Sequence, residues 1–152
     1  MSGKVVVDTS IALKRVVTEP DSDRANALLK TWLSQAIALL APTLLAYEVA
    51  NNLCQRQYRA SMSPAQAETA LHALLGGSIL LDVVDQVSQL NLGFRALELA
   101  EHLHLAAAYD AHFLALAERE GCEYWTADER LWNSVKSTLP WVRWLGEFVP
   151  AP

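Results

Sequence analysis

Val5-Val6-Val7-Asp8-Thr9-Ser10 is the stretch on which the fold turns. Three consecutive β-branched residues, apolar on both faces, read as a strand buried on both sides, as strands of parallel sheets are. Asp8, Thr9 and Ser10 can each cap a helix that begins with Ile11, and Glu19-Pro20 ends that helix. Outward from this unit the alternation repeats. Asp21 or Ser22 starts a helix through Ala25, Leu28, Leu29, Trp32 and Leu33, and Ile37 to Leu40 is a second strand. Pro42 suits the first turn of a helix reaching about Tyr58. Ser63-Pro64-Ala65-Gln66 is a capping box with proline at the first helical position, and Gly76-Gly77 stops that helix. Ile79 to Val84 reads as extended, Val87 to Leu103 as helix, and Ala106 to Glu120 as a helix closed by Gly121. Glu123 to Thr126 is a strand, Asp128 to Val135 a short helix, and Trp141 to Leu145 a last strand. Such alternation predicts one α/β layered domain over residues 1–152 with a mostly parallel sheet.

Composition narrows the function. With 52% apolar and 19% charged residues in 152, the chain is expected to fold, burying about 70% of its unfolded surface. No apolar run approaches the roughly 18 residues of a membrane helix, and Val5–Val7 is too short for a signal-peptide core. No membrane association is expected. Cys54 and Cys122 exclude a disulfide framework and a Cys-only zinc site, and read as buried, reduced thiols of a cytoplasmic protein. Twelve Lys and Arg face 17 Asp and Glu, a net charge of −5. A broad electrostatic nucleic-acid binder would be basic. Any nucleic-acid role must rest on a local site where a metal supplies the positive charge.

The acids locate that site. Val5–Val7 runs into Asp8, and Tyr124–Thr126 almost at once into Asp128. If both strands are parallel, the two carboxylates share the sheet's carboxyl rim, where ligands bind in such folds. Asp110 interrupts an apolar stripe of Ala106, Phe113, Leu114 and Ala117. A core-facing carboxylate is costly unless paired, hydrogen-bonded or metal-bound, so a cap or an arginine partner is the alternative. Glu48 borders apolar Leu44, Leu45, Val49 and Leu53 and polar Asn51, Asn52 and Gln55; alone it reads as a surface acid. Alone, Asp8 and Asp128 read as helix caps. Together, four converging acids would repel one another and raise their own pKa values. Mg²⁺ or Mn²⁺ relieves that repulsion, and one or two such ions suit phosphodiester cleavage. Thr9, Ser10 and Thr126 could hold the carboxylates or bound waters. Lys14, Arg15, Arg56 and Arg59 lie on helices beside the rim and are candidates for phosphate contacts, or simply a solvated face.

Four segments then resemble a known family: Val5-Val-Val-Asp-Thr-Ser10, Tyr47-Glu-Val-Ala-Asn-Asn-Leu53, Tyr109-Asp-Ala-His-Phe-Leu-Ala-Leu-Ala-Glu118 and Tyr124-Trp-Thr-Ala-Asp-Glu-Arg-Leu131. They look like the four acidic motifs of PIN-domain ribonucleases, and among these of VapC-type toxins. Order and gaps agree, with 40 residues from Asp8 to Glu48, 62 to Asp110 and 18 to Asp128, and the likeness spans residues 5 to about 145. The resemblance implies a three-layer α/β/α fold and an endoribonuclease dependent on Mg²⁺ or Mn²⁺. It assigns catalysis and metal binding to Asp8, Glu48, Asp110 and Asp128. It further implies RNA as substrate, a homodimer or toxin–antitoxin hetero-oligomer, and inhibition by a small antitoxin lying near the site. Tyr124-Trp125 departs from the pattern, being bulkier than the Val/Leu pair expected there.

Other features read as structure. His72, His102, His104 and His112 form no zinc motif and read as surface or packing residues; the five tryptophans read mostly as core, Trp141 and Trp144 on opposite or offset faces of the last strand. Neither a glycine-rich phosphate loop nor a Gly-x-Ser-x-Gly elbow occurs. Two alternatives stand beside the nuclease: a receiver-like switch phosphorylated on Asp8, and a PIN-like binding protein with a decayed site.

Overall fold

In the computed structural model, which describes residues 3–77, 79–82 and 85–150, the valine run becomes the central strand of a five-stranded sheet. The strands are β1 (Lys4–Val7), β2 (Ala38–Pro42), β3 (Ile79–Asp82), β4 (Glu123–Thr126) and β5 (Val142–Trp144). Every pairing is parallel, in the order β3-β2-β1-β4-β5. Seven helices intervene: α1 (Thr9–Leu13), α2 (Ser22–Ser34), α3 (Leu44–Tyr58), α4 (Pro64–Leu75), α5 (Gln86–His102), α6 (Tyr109–Glu120) and α7 (Glu129–Val135). The receiver-like alternative requires the order 2-1-3-4-5, with β3 beside β1, and is excluded on this ground.

Alternation along β4 puts helices on both faces of the sheet. Tyr124 packs against Phe113 of α6, ring centroids 6.2 Å apart, whereas Trp125 meets Trp32 of α2 edge-on at 5.6 Å. The valines of β1 are buried, as strands sandwiched between helical layers must be. The chain reverses direction across the sheet between β1 and β4: β2 and β3 lie on one side of β1, β4 and β5 on the other. That switch point is where an open α/β sheet leaves a crevice beyond its strand ends. Val7 is the Cα partner of Trp125, so Asp8 and Thr126 follow side by side at its mouth.

Several boundaries differ from the sequence reading. The first helix stops at Leu13. The β-branched Val16, Val17 and Thr18 resist helix, and a turn is closed by the Ser22 hydroxyl, which accepts from the Glu19 N–H and donates to the Val17 carbonyl. Pro42 is the last residue of β2, opposite Asp82, and not a helix start. Val83 and Val84, assigned to the third strand by the sequence, lie outside the described residues. Helix α6 begins at Tyr109, three residues later than expected; Ala108 caps it without a side-chain bond, and Ala106 and Ala107 are exposed. Trp141 lies outside β5. Of the tryptophans Trp32 is buried and the other four are half-buried, Trp132 stacking on Trp144 at 5.3 Å. Cys122 is buried, but Cys54 is exposed on α3, contrary to expectation.

Candidate metal centre

The strand-to-helix turn at Asp8 sets the floor of the crevice. Asp8 is 94% buried, at 6% exposure, and caps α1 through the Ser10 N–H. Its Oδ2 accepts from that N–H, from the Ser10 hydroxyl and from the Thr126 hydroxyl at 3.0 Å. The Ser10 hydroxyl in turn accepts from the Ala127 N–H at 2.9 Å, which ties the β1 and β4 strand ends together. All identified bonds go to Oδ2; Oδ1 accepts from no described residue.

Glu48 comes in on α3, half-buried, its Oε2 accepting from the Thr9 hydroxyl. Burial pushes its pKa above the usual carboxylate range and Asp8 pushes the same way, while the Thr9 bond and the charge of His112 pull it down. Asp110 sits in the first turn of α6, where the helix dipole favours an anion. Its placement differs from the mid-stripe position read from sequence, because the helix starts at Tyr109. Even so, burial pushes its pKa up to about 6, reinforced by Asp8, Glu48 and Asp128. Asp110 receives no hydrogen bond and forms no ion pair among the described residues. Asp128 is exposed and caps α7, its Oδ1 accepting from the Arg130 and Leu131 N–H groups at 2.8 and 3.1 Å. The cap reading is thus realised at both Asp8 and Asp128, and is compatible with a shared field.

Asp8, Glu48 and Asp128 thus raise the cost of a charge on Asp110, and Asp8 raises it on Glu48; among the described residues no lysine or arginine pairs with any of the four. The donor set fits a hard divalent cation: carboxylate oxygens, with hydroxyls holding them in place. Among the described residues no three Asp, Glu, His or Cys side chains stand as a ready-made coordination group. Mg²⁺ does not require one, since it is held by one or two carboxylates and keeps several waters.

The basic candidates divide. Lys14 donates to the Pro20 carbonyl at 2.7 Å and lies 3.4 Å from Glu19, and Arg56 pairs with the same Glu19 while donating to Asn52 at 2.8 Å. Arg15 lies against Gly77 at the end of α4, and Arg59 is exposed at the end of α3. Two residues near the site were not singled out by sequence reasoning. His112, two residues beyond Asp110, donates from Nδ1 to the Ala108 carbonyl at 2.6 Å and bears on Glu48. Tyr124 is fully buried two residues before Thr126, on the same face of β4. The signal for it was the strand alternation that aligns Tyr124 with Thr126.

Comparison with known proteins agrees with this architecture. The PIN domain family model matches residues 5–136. The chain is 34% identical over 128 residues to ribonuclease VapC3 of Pyrobaculum aerophilum, covering 84% of this chain and 92% of the relative. A toxin–antitoxin complex from Klebsiella pneumoniae superposes with a TM-score of 0.65 at 17% identity, over 95% of this chain and 99% of that one. VapBC2 from Rickettsia felis, bound to a DNA fragment from its promoter, gives 0.64 at 14%, over 91% and 95%. The parallel sheet, the helices on both its faces and the match along most of its length make this chain a member of the PIN-domain family, related to the VapC ribonucleases.

Proposed function

We propose that this protein is a Mg²⁺- or Mn²⁺-dependent endoribonuclease, the toxin of a toxin–antitoxin pair, acting in the cytoplasm. One observation carries the reading: Asp110 is pushed up to about 6 by burial and by the charges of Asp8, Glu48 and Asp128, with no lysine or arginine among the described residues paired to it. In this reading Asp8, Glu48, Asp110 and Asp128 are the metal-binding and catalytic acids. A divalent ion bound there supplies positive charge for an RNA phosphate and a more acidic water for its attack. The protein's own part is orientation. Ser10 and Thr126 hold one oxygen of Asp8 and leave the other for the crevice; Thr9 aims Glu48. Of the four basic candidates for phosphate contacts, Arg15 and Arg59 are the two not engaged with Glu19, as Lys14 and Arg56 are.

The VapC3 relative supports RNA as substrate, and the toxin–antitoxin complexes among the structural neighbours support a small antitoxin as partner. Among the described residues no helix is long and apolar enough to cross a membrane. A homodimer is supported by the outer face of α5, where Val87, Leu90, Phe94 and Leu97 are exposed in a row. Gly93 lies among them, and a Cβ there would touch nothing in the chain. Two copies of an acidic chain meet on such a face without setting like charges opposite each other. The test is incubation of total RNA with the protein, with Mg²⁺, Mn²⁺ or EDTA, and mapping of the new ends. Cleavage is expected with either metal, to be abolished by EDTA and reduced on the order of 100-fold or more by Asp8→Asn, as loss of an electrostatic contact to the transition state does. Cleavage by the EDTA-treated protein or by Asp8→Asn at the wild-type rate would remove the metal-site assignment.

A further inference from the structure

Tyr124 carries a hydroxyl for which the packing offers no reason. The side chain is 0% exposed and leans on Phe113, a contact that phenylalanine would make as well. Its hydroxyl is enclosed and meets strict hydrogen-bond geometry with no described residue, although the Asp8 carboxylate and the Thr126 hydroxyl lie against it. The groups facing it are Asp8 and Thr126. A phenol O–H can donate, and this one lies on the buried side of Asp8, on the same face of β4 as Thr126. Asp8 offers a matching deficit. Its Oδ2 already accepts from Ser10 and Thr126, whereas Oδ1 accepts from no described residue.

We infer that Tyr124 is a positioning residue for the candidate metal centre, its hydroxyl donating to the Asp8 carboxylate from below and fixing the direction in which Asp8 faces a divalent cation. The inference rests on the reading of Asp8 as a metal-binding acid. It does not make Tyr124 a catalytic residue, because the enclosed hydroxyl reaches neither solvent nor substrate. A groove-side ligand would be lost with activity; a buried orienting donor leaves a different signature. Groups that orient metal ligands from outside the coordination sphere change affinity on the order of 10–100-fold when removed.

The experiment compares wild type, Tyr124→Phe and Asp8→Asn as full-length proteins, titrated with Mn²⁺ by calorimetry and by electron paramagnetic resonance, and melted without metal. For Tyr124→Phe a cooperative melt is expected, since phenylalanine keeps the contact with Phe113. Its Mn²⁺ dissociation constant should be weaker by about 10-fold or more. At saturating Mn²⁺ its kcat and its KM for RNA should return to near wild type. A Tyr124→Phe dissociation constant within twofold of wild type, with Asp8→Asn abolishing binding, overturns the inference and leaves the metal centre standing. If wild type itself binds no Mn²⁺, or Asp8→Asn binds it equally well, the metal centre and the inference fall together.

Discussion

Asp110 behaves as a residue kept at the cost of stability. In the folded chain it is held near 6, against about 3.9 for an unperturbed aspartate, so folding favours its protonated form. Its contribution is most favourable below pH 4 and is lost as pH rises through 6, where the charge must be carried beside Asp8 and Glu48. Asp110→Asn removes that charge in place. Without metal at pH 7.5 the variant should melt a few degrees above wild type, at about 2–4 °C per kcal/mol for a domain near this size, and the gap should close toward pH 4. A structural aspartate would give the opposite sign, so a destabilised Asp110→Asn at neutral pH refutes this account. The same titration makes Mn²⁺ compete with protons. Affinity should be flat above pH 7 and fall steadily below 6, in a calorimetric series across that range. Glu48, raised in the same direction by burial and Asp8, adds to the fall.

At the scale of elements, four helices end in one way. After α2, α3, α5 and α6 a residue with positive φ (Ala36, Ala60, His104 and Gly121) is followed by an N–H that reaches back over the last turn. The bonds are Ile37 to Trp32, Ser61 to Arg56, Leu105 to Ala100 and Cys122 to Ala117, at 2.8 to 3.1 Å. This is the Schellman arrangement, which glycine suits best because it lacks a Cβ. Only Gly121 meets that preference, which is why the sequence announced the end of α6 most clearly. Ala60 is exposed, so its replacement leaves packing untouched. Ala60→Gly should stabilise the protein by roughly 0.5–1 kcal/mol, read as a higher urea midpoint at unchanged slope. A lower midpoint would mean that the turn carries no left-handed strain. Ser63→Ala should cost about 1 kcal/mol, because it removes the capping box that starts α4.

For the whole molecule, the open question is what covers α5. A monomer that exposes Val87, Leu90, Phe94 and Leu97 along one helix face presents an apolar patch of the kind that marks an interface. With a second copy there, Phe94→Glu sets two like charges opposite each other across a symmetric contact. The dimer should weaken by roughly 100-fold or more, seen as a monomer by light scattering, since such a juxtaposition costs several kcal/mol. Wild type running as a monomer at all concentrations, or Phe94→Glu remaining a dimer, would assign the face to the antitoxin or to another partner.

Much of this protein was legible in one dimension. The valine strand, the α/β alternation, the capping box and Gly121 follow from local rules, because burial on two faces and cap chemistry are written in consecutive residues, and the four acids stand out as candidates by their places at strand ends and on helices. What local rules missed is equally specific. The start of α6 moved to Tyr109, since alanines carry no capping signal, and with it Asp110 moved into the first turn. Lys14 and Arg56 turned inward to Glu19, which lies far from Arg56 in sequence. The juxtaposition of Asp8 with Tyr124 and Thr126 depends on β1 pairing with β4, a contact between chain segments more than a hundred residues apart. Local preferences decide which segments become strands and helices; only the assembled sheet, where burial and long-range charge act together, decides which acids feel one another and which hydroxyl lies beneath them.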